Sequence, residues 1–109
     1  MTEPSRRRLP NRRVSITQTL ALPGWPPIVV TVGLDAAARV LEVFVRAQRP
    51  ASDLDRLLDD GAVIASLAMQ HGATAGELAA SIARRGGEPS TVLGAALDFA
   101  AEIDAAPGA

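Results

Sequence analysis

The strongest constraint in the sequence is segment 52–72, where apolar residues recur at helical spacing and both ends carry helix-boundary signals. Ser52 is a suitable N-cap, and Asp55 stands where a capping box places its acidic residue. Gly72 tolerates the left-handed conformation that ends many helices. The segment therefore predicts one long amphipathic helix. Its predicted buried face comprises Leu54, Leu57, Leu58, Gly61, Ile64, Ala65 and Ala68, widened by Val63 and Leu67.

Three segments before this helix, 14–22, 28–34 and 40–46, alternate between apolar and polar residues, the period typical of strands. The short connection 35–39 between the second and third predicts an antiparallel hairpin. In the first strand Val14, Ile16, Leu20 and Leu22 should form a half-buried face. In the third strand the predicted inward residues are Leu41, Val43 and Val45, and the outward ones are Glu42, Phe44 and Arg46.

Two further helices are predicted after the long one. Thr74 and Glu77 form a second capping box, whose helix should end at the Arg and Gly residues of 84–87, and Ser90 or Thr91 should cap the last helix. In that last helix Asp98, Glu102 and Asp104 should be solvated. Strands segregated from helices predict an α+β fold, with a three-stranded antiparallel sheet followed by three helices packed on one face.

The predicted organisation is a basic flexible arm at 1–13, a single α+β domain at 14–105 and a loose C-terminal end at 106–109. A three-stranded sheet leaves edges that a monomer would expose. Pairing of two copies, edge to edge or face to face, would cover them, so we expect a homodimer.

Composition excludes several classes of function. The chain has no Cys, so disulfides, thiolate metal sites and thiol catalysis are absent, and a reducing cytoplasm is the expected location. No apolar run suits a secretory signal or a membrane span. We expect no cofactor. The formal net charge is −1, and all basic residues are Arg, which favours a GC-rich, bacterial genome.

Few residues offer chemistry of their own. His71 is the only histidine, at a predicted helix end, and has no evident nucleophile or metal-ligand partners. Four carboxylates lie near the start of the long helix: Asp53, Asp55, Asp59 and Asp60. Asp55 and Asp59 are i, i+4 neighbours that could share a divalent cation, but a solvated acidic face is favoured. Ser66 is interpreted as a packing residue. No phosphate-loop or dinucleotide-binding motif is present.

The N-terminal arginines are the one feature with a clear functional alternative. Five of them fall within the first thirteen residues. They could neutralise phosphates of a nucleotide or nucleic acid, contact an acidic partner, or simply form a solvated tail. The candidate phosphate contacts are Arg6, Arg7 and Arg8, with Arg12 and Arg13 at the start of the first strand.

Several blocks resemble the TSCPD domain, a module near the C-terminus of adenosylcobalamin-dependent (class II) ribonucleotide reductases. The matching blocks, within residues 9–98, are LPNRRVSIT at 9–17, IVVTVGL at 28–34, LEVFV at 41–45, IASLAMQHG at 64–72 and EPS at 88–90. The chain lacks the catalytic cysteines of the large reductases and their cysteine-bearing tail, and 36–38 replaces the family's Asp-Gly turn.

The resemblance implies a stand-alone accessory module in deoxynucleotide metabolism that binds a nucleotide or a reductase. Similarity alone would assign a ribonucleoside-diphosphate reductase label, but we expect no catalysis from this chain by itself. The alternative is a small nucleic-acid-binding protein that uses its arginine arm. Within the matched blocks, the candidate ligand-binding residues are Arg12, Arg13, Ser15, Thr17, Ser66, Gln70 and His71.

Overall fold

The computed structural model describes residues 6, 14–82 and 84–104. They form an α+β fold in which a three-stranded antiparallel sheet is followed by three helices packed against it, as predicted. The elements are β1 (Val14–Leu20), β2 (Ile28–Leu34), β3 (Val40–Ala47), α1 (Asp53–Gln70), α2 (Ala75–Ser81), β4 (Arg84–Arg85), β5 (Glu88–Pro89) and α3 (Val92–Ile103). The predicted arm, apart from Arg6, and the predicted C-terminal end lie outside the described residues.

The sheet has the order β1-β2-β3, and its register fixes two faces. Successive side chains of a strand point to opposite faces. On β2 and β3, Val30 pairs with Val45 and Val32 with Val43, and all four are buried under the helices. Thr31 pairs with Phe44 on the opposite face, which none of the described helices covers. The predicted directions of the β3 side chains are therefore confirmed.

The β2–β3 connection is a hairpin, although it lacks the usual Gly or Asn. The Asp35 carboxylate accepts hydrogen bonds from the backbone N–H groups of Ala37 and Arg39, each at 2.9 Å. Ala38 takes a positive φ of 60°. These hydrogen bonds to the Asp35 side chain stabilise the turn, which would otherwise favour a residue such as Gly or Asn at the position with positive φ.

Helix α1 packs along β3, and the face it buries differs from the predicted one. Leu58, Ala62, Ala65 and Met69 lie in the core, whereas Leu57 and Ile64 are each 69% exposed. Val63 and Leu67 are also exposed, at 52% and 38%. Leu58 and Ala65 are buried as predicted, but Leu57 and Ile64 are not, because polar residues of α1 take part of the buried surface.

Strand β1 is not half-buried as predicted. Val14 and Ile16 face the helix side of the sheet, yet their exposed fractions are 66% and 37%. Leu20 and Leu22 are only partly buried. Among the described residues, the helices cover β2 and β3 but leave the first part of β1 uncovered, so only the end of β1 near Leu20 reaches the core.

The segment after α2, predicted as a helix end and a linker, forms a two-stranded ribbon instead. Helix α2 begins after the Thr74 cap as predicted, but it ends at Ser81. Arg84 and Arg85 then pair with Pro89 and Glu88 across Gly86 and Gly87, whose φ values are 58° and 83°. Two consecutive positive-φ glycines are a known hairpin signal.

Helix α3 begins after Thr91, whose hydroxyl accepts from the backbone N–H of Gly94. Two of its acids were wrongly expected to be solvated. Asp98 pairs with Arg84 of the ribbon at 2.8 Å, and this hydrogen-bonded carboxylate raises the pKa of the Arg84 guanidinium. The side chain of Asp104 is 3% exposed and contacts Arg39 at 2.9 Å. Both acids tie α3 to neighbouring elements.

Candidate functional site

Three polar side chains of α1 are buried, and all three bind the backbone of β3. The Ser66 hydroxyl accepts from the Val43 N–H at 3.0 Å and donates to the Val43 carbonyl at 3.1 Å. The Gln70 amide donates to the Leu41 carbonyl at 3.1 Å. An Asp55 oxygen accepts from the Ala47 N–H at 2.9 Å. These side chains take the place of a fourth strand along this edge of the sheet.

Asp55 is the most connected of the three. Besides Ala47, its carboxylate accepts from the Ala51 N–H and from the Arg46 guanidinium, each at 2.9 Å. The backbone N–H groups of Ala47 and Ala51, and then the Arg46 charge, lower the pKa of Asp55. Asp55 thus does not belong to a solvated acidic face, and its carboxylate binds Ala51 rather than completing a capping box. Ser52 still caps the helix, because its hydroxyl accepts from the Asp55 N–H.

A pocket of about 360 Å³ opens beside this row of contacts, and we call it the β3–α1 pocket. Ser66 and Gln70 line its buried end. Arg6 reaches into it from the N-terminal arm and donates from its Nε to Gln70 Oε1. The mouth is formed by the exposed side chains Phe44, Val63 and Leu67 together with the carboxylates of Glu42 and Asp59.

The mouth of the pocket combines three chemistries. Phe44 is 45% exposed and offers an aromatic ring. Arg6 offers a guanidinium, whose planar fork suits phosphate and carboxylate. The exposed carboxylate of Asp59 offers acceptors for hydroxyl or amine groups. The volume falls within the range usual for small-molecule sites.

The structure brings together only some of the residues predicted to bind ligand. Ser66, Gln70 and Arg6 share the pocket. Ser15 and Thr17 lie on the sheet face opposite the helices, on β1, two strands away from β3. The Thr17 hydroxyl is 2.8 Å from that of Thr31 on β2. The predicted phosphate contacts Arg7, Arg8, Arg12 and Arg13 lie outside the described residues.

His71 stands apart from the pocket. It follows the last residue of α1, is exposed, and its Nδ1 lies 2.8 Å from the Leu67 carbonyl. Since a carbonyl only accepts, this contact assigns the proton to Nδ1. The imidazole therefore belongs to the helix terminus, and it does not line the pocket with Ser66 and Gln70.

Sequence reasoning missed the residues at the pocket mouth. Glu42 and Phe44 were recognised as outward-facing, and Asp59 only as part of an acidic helix face. Val63 and Leu67 were assigned to the core. Arg6 and Gln70 are 64 positions apart, so no local pattern joins them. The one available signal was the alternation along β3, which places Phe44 on the open face.

Comparisons with known proteins found no match among family models, curated proteins or solved structures. Among the described residues no group of three or more His, Asp or Glu side chains is arranged to hold a metal ion. Nor does any helix in the described ranges have the length and apolar character needed to cross a membrane.

Proposed function

We propose that this protein is a non-catalytic binding module that takes a nucleotide in the β3–α1 pocket and acts beside a ribonucleotide reductase or a related nucleotide-handling enzyme. The observation that carries the proposal is the shared pocket mouth, where an exposed aromatic ring, a guanidinium and two carboxylates line one cavity. The resemblance of residues 9–98 to the TSCPD domain suggests the metabolic setting.

Each part of a nucleotide has a partner in the pocket mouth. The ring of Phe44 suits stacking of a base, which contributes about 1–3 kcal/mol. The Arg6 guanidinium suits the phosphates. The exposed Asp59 carboxylate suits ribose hydroxyls, as acidic residues do in other nucleotide sites. A base, sugar and phosphate together match this mixture better than a purely apolar ligand would.

The chemistry of the buried end supports binding without catalysis. The Ser66 hydroxyl both accepts from and donates to Val43, so its proton and a lone pair are already engaged. A serine nucleophile needs an adjacent base, and the His71 imidazole is bonded instead to the Leu67 carbonyl. Ser66 and His71 are therefore engaged in hydrogen bonds within the fold, whereas a hydrolase would need both side chains available for reaction.

A thermal-shift and titration experiment with ATP, dATP and the other deoxynucleoside triphosphates tests the proposal. A nucleotide present at 100 times its dissociation constant should stabilise the protein by about 2.7 kcal/mol. For a domain of this size that raises Tm by roughly 10 °C or more. If no nucleotide raises Tm, nucleotide binding is refuted, and a protein partner is the remaining candidate.

Matched variants locate the ligand. Phe44→Ala and Arg6→Gln should each weaken nucleotide binding about fivefold or more, since each removes a contact worth about 1–3 kcal/mol. Leu57→Ala and Arg49→Gln remove an exposed apolar and an exposed basic residue outside the pocket, and should leave the affinity unchanged. Equal effects of both pairs would place the ligand elsewhere.

The same assay separates the runner-up proposal, nucleic-acid binding through the arginine arm. That proposal rests on the five N-terminal arginines and on the exposure of Arg6 at the protein surface. A DNA duplex bound through phosphate contacts should lose affinity steeply as salt is added, and Phe44→Ala should not change it. Nucleotide binding that depends on Phe44 would favour the pocket.

A further inference from the structure

The two edges of the sheet, β1 and β3, differ in what lies beside their outward-pointing backbone groups. The Val43 N–H and carbonyl point away from β2, because Ser66 of α1 binds both. Backbone groups alternate between the two sides of an antiparallel strand, so those of Phe44 point toward β2. Its partner Thr31 therefore directs its backbone groups toward β3, and Val30 and Val32 direct theirs toward β1.

The same alternation fixes the outer edge of β1. Ile16 and Gln18 pair with Val32 and Val30, so their backbone groups point into the sheet. The N–H and carbonyl groups of the intervening residues, Ser15, Thr17 and Thr19, must then point outward, away from β2. Within the described residues no element lies beyond β1 in the sheet order. Residues 14–19 are all exposed.

The side chains of β1 carry none of the usual protection of an edge strand. Natural edges are guarded by Lys or other charges, by Pro, or by bulges. β1 has the sequence VSITQTL, with no charge and no Pro, and its register with β2 is regular from Val14 to Leu20. Val14 and Ile16 are in addition apolar and poorly covered.

We infer that β1 pairs antiparallel with β1 of a second copy, joining two sheets into one six-stranded sheet. Full overlap of the strand places the twofold axis at Thr17, with Ser15 of each copy opposite Thr19 of the other. Both positions direct their backbone groups outward, as a hydrogen-bonded pair requires. The inference does not depend on the proposed nucleotide pocket, which lies at the opposite edge of the sheet.

Charge favours a second copy at β1 over a second copy at α1. Self-pairing of β1 brings no charged side chains opposite each other. The exposed apolar residues of α1, Leu57 and Ile64, lie on a helix whose exposed charges are three acids, Asp53, Asp59 and Asp60, and one base, Arg56. Two such surfaces would repel, because each carries a net negative charge. A strand of seven residues spans about 23 Å, so the contact is smaller than a standard interface, and we expect micromolar dissociation.

The lack of cysteines allows a direct crosslinking test. Cα atoms of a directly opposed, hydrogen-bonded pair lie about 5.5 Å apart, within disulfide range. Thr17→Cys should form an intermolecular disulfide under mild oxidation, seen as a dimer on a non-reducing gel. Thr31→Cys is the matched control, because it loses the same hydroxyl contact but lies one strand further from the axis on each side, beyond disulfide reach.

Sedimentation velocity of the unmodified chain provides the second measurement. Between about 10 and 500 µM it should shift toward twice the chain mass of 11.3 kDa. Thr17→Lys places two like charges opposite each other and should keep the chain monomeric, whereas Val29→Lys on β2 should still dimerise. Circular dichroism checks that both variants are folded. A monomer at every concentration, or equal crosslinking of the two cysteine variants, would overturn the inference.

Discussion

Replacement of Ser66 by Ala tests the finding that α1 seals the outer edge of β3. The hydroxyl makes two hydrogen bonds, to the N–H and to the carbonyl of Val43, and Ser66 is 9% and Val43 1% exposed. Alanine removes both bonds without adding bulk. The two Val43 backbone groups then stay buried and lose their partner.

The cost follows from the two groups left unsatisfied. Each buried polar backbone group without a partner costs about 1–3 kcal/mol, and Ala recovers about 0.5 kcal/mol as a better helix former. Removing the hydroxyl also saves its own desolvation. We expect Ser66→Ala to lower the free energy of unfolding by about 2–3 kcal/mol. For a domain of this size that lowers Tm by roughly 10–20 °C.

Urea denaturation followed by circular dichroism measures this difference, with an unchanged m-value as evidence that the same surface is exposed on unfolding. Ser81→Ala is the matched control, since Ser81 is exposed on α2 and its hydroxyl bonds only the Glu77 carbonyl. We expect it to cost less than about 0.5 kcal/mol. Amide exchange at Val43 should accelerate only in the Ser66 variant.

A second pair of variants separates the hydroxyl from the volume of the side chain. Ser66→Thr and Ser66→Val introduce nearly the same shape, but only Thr keeps the hydroxyl. Any strain from the added methyl is shared, so Thr should be the more stable by about 1–3 kcal/mol. The reasoning is refuted if Ser66→Ala costs less than about 0.5 kcal/mol, or if the two larger variants are equally stable.

Two further predictions concern α1. Because hydrogen bonds and the Arg46 charge lower the pKa of Asp55 in the folded chain, the unfolded chain binds more protons there as pH falls below the ordinary value of 3.8. The stabilisation is thus present above that pH and lost as pH falls through the lower folded-state value. Asp55→Asn should flatten the acid limb of a curve of unfolding free energy against pH. Met69→Ala should lower the free energy of unfolding, measured by urea denaturation, by about 2–5 kcal/mol, because Met69 is 1% exposed. Ile64→Ala should lower it by less than about 0.5 kcal/mol, because Ile64 is 69% exposed. The reverse order would support the helix face predicted from spacing.

The sequence predicts the order of elements well because each has a local cause. Ser52, Thr74 and Thr91 all cap helices through their side chains, and the alternation of 28–34 and 40–46 matches the observed faces of β2 and β3. The Gly86-Gly87 pair was a local signal too, and it was assigned to a helix end. These features need no knowledge of distant residues.

The orientation of α1 and the pocket could not be predicted in this way. Ser66 and Gln70 look like polar interruptions of an apolar helix until β3 lies beside them. Since their partners are backbone groups, the sequence of β3 carries no matching signal. The apolar residues Leu57 and Ile64 fit the helical period as well as the residues that are actually buried. Period therefore identified the helix but not its buried side.

The row of Asp55, Ser66 and Gln70 along β3 also limits how large an assembly can become. A sheet with two available edges can add subunits at both and grow into a fibre. Here one edge is already terminated by side chains of the same chain. If copies join through β1, each new sheet ends at β3 on both sides, and growth stops at two subunits. Disruption of this row would then convert a closed pair into a template for polymerisation.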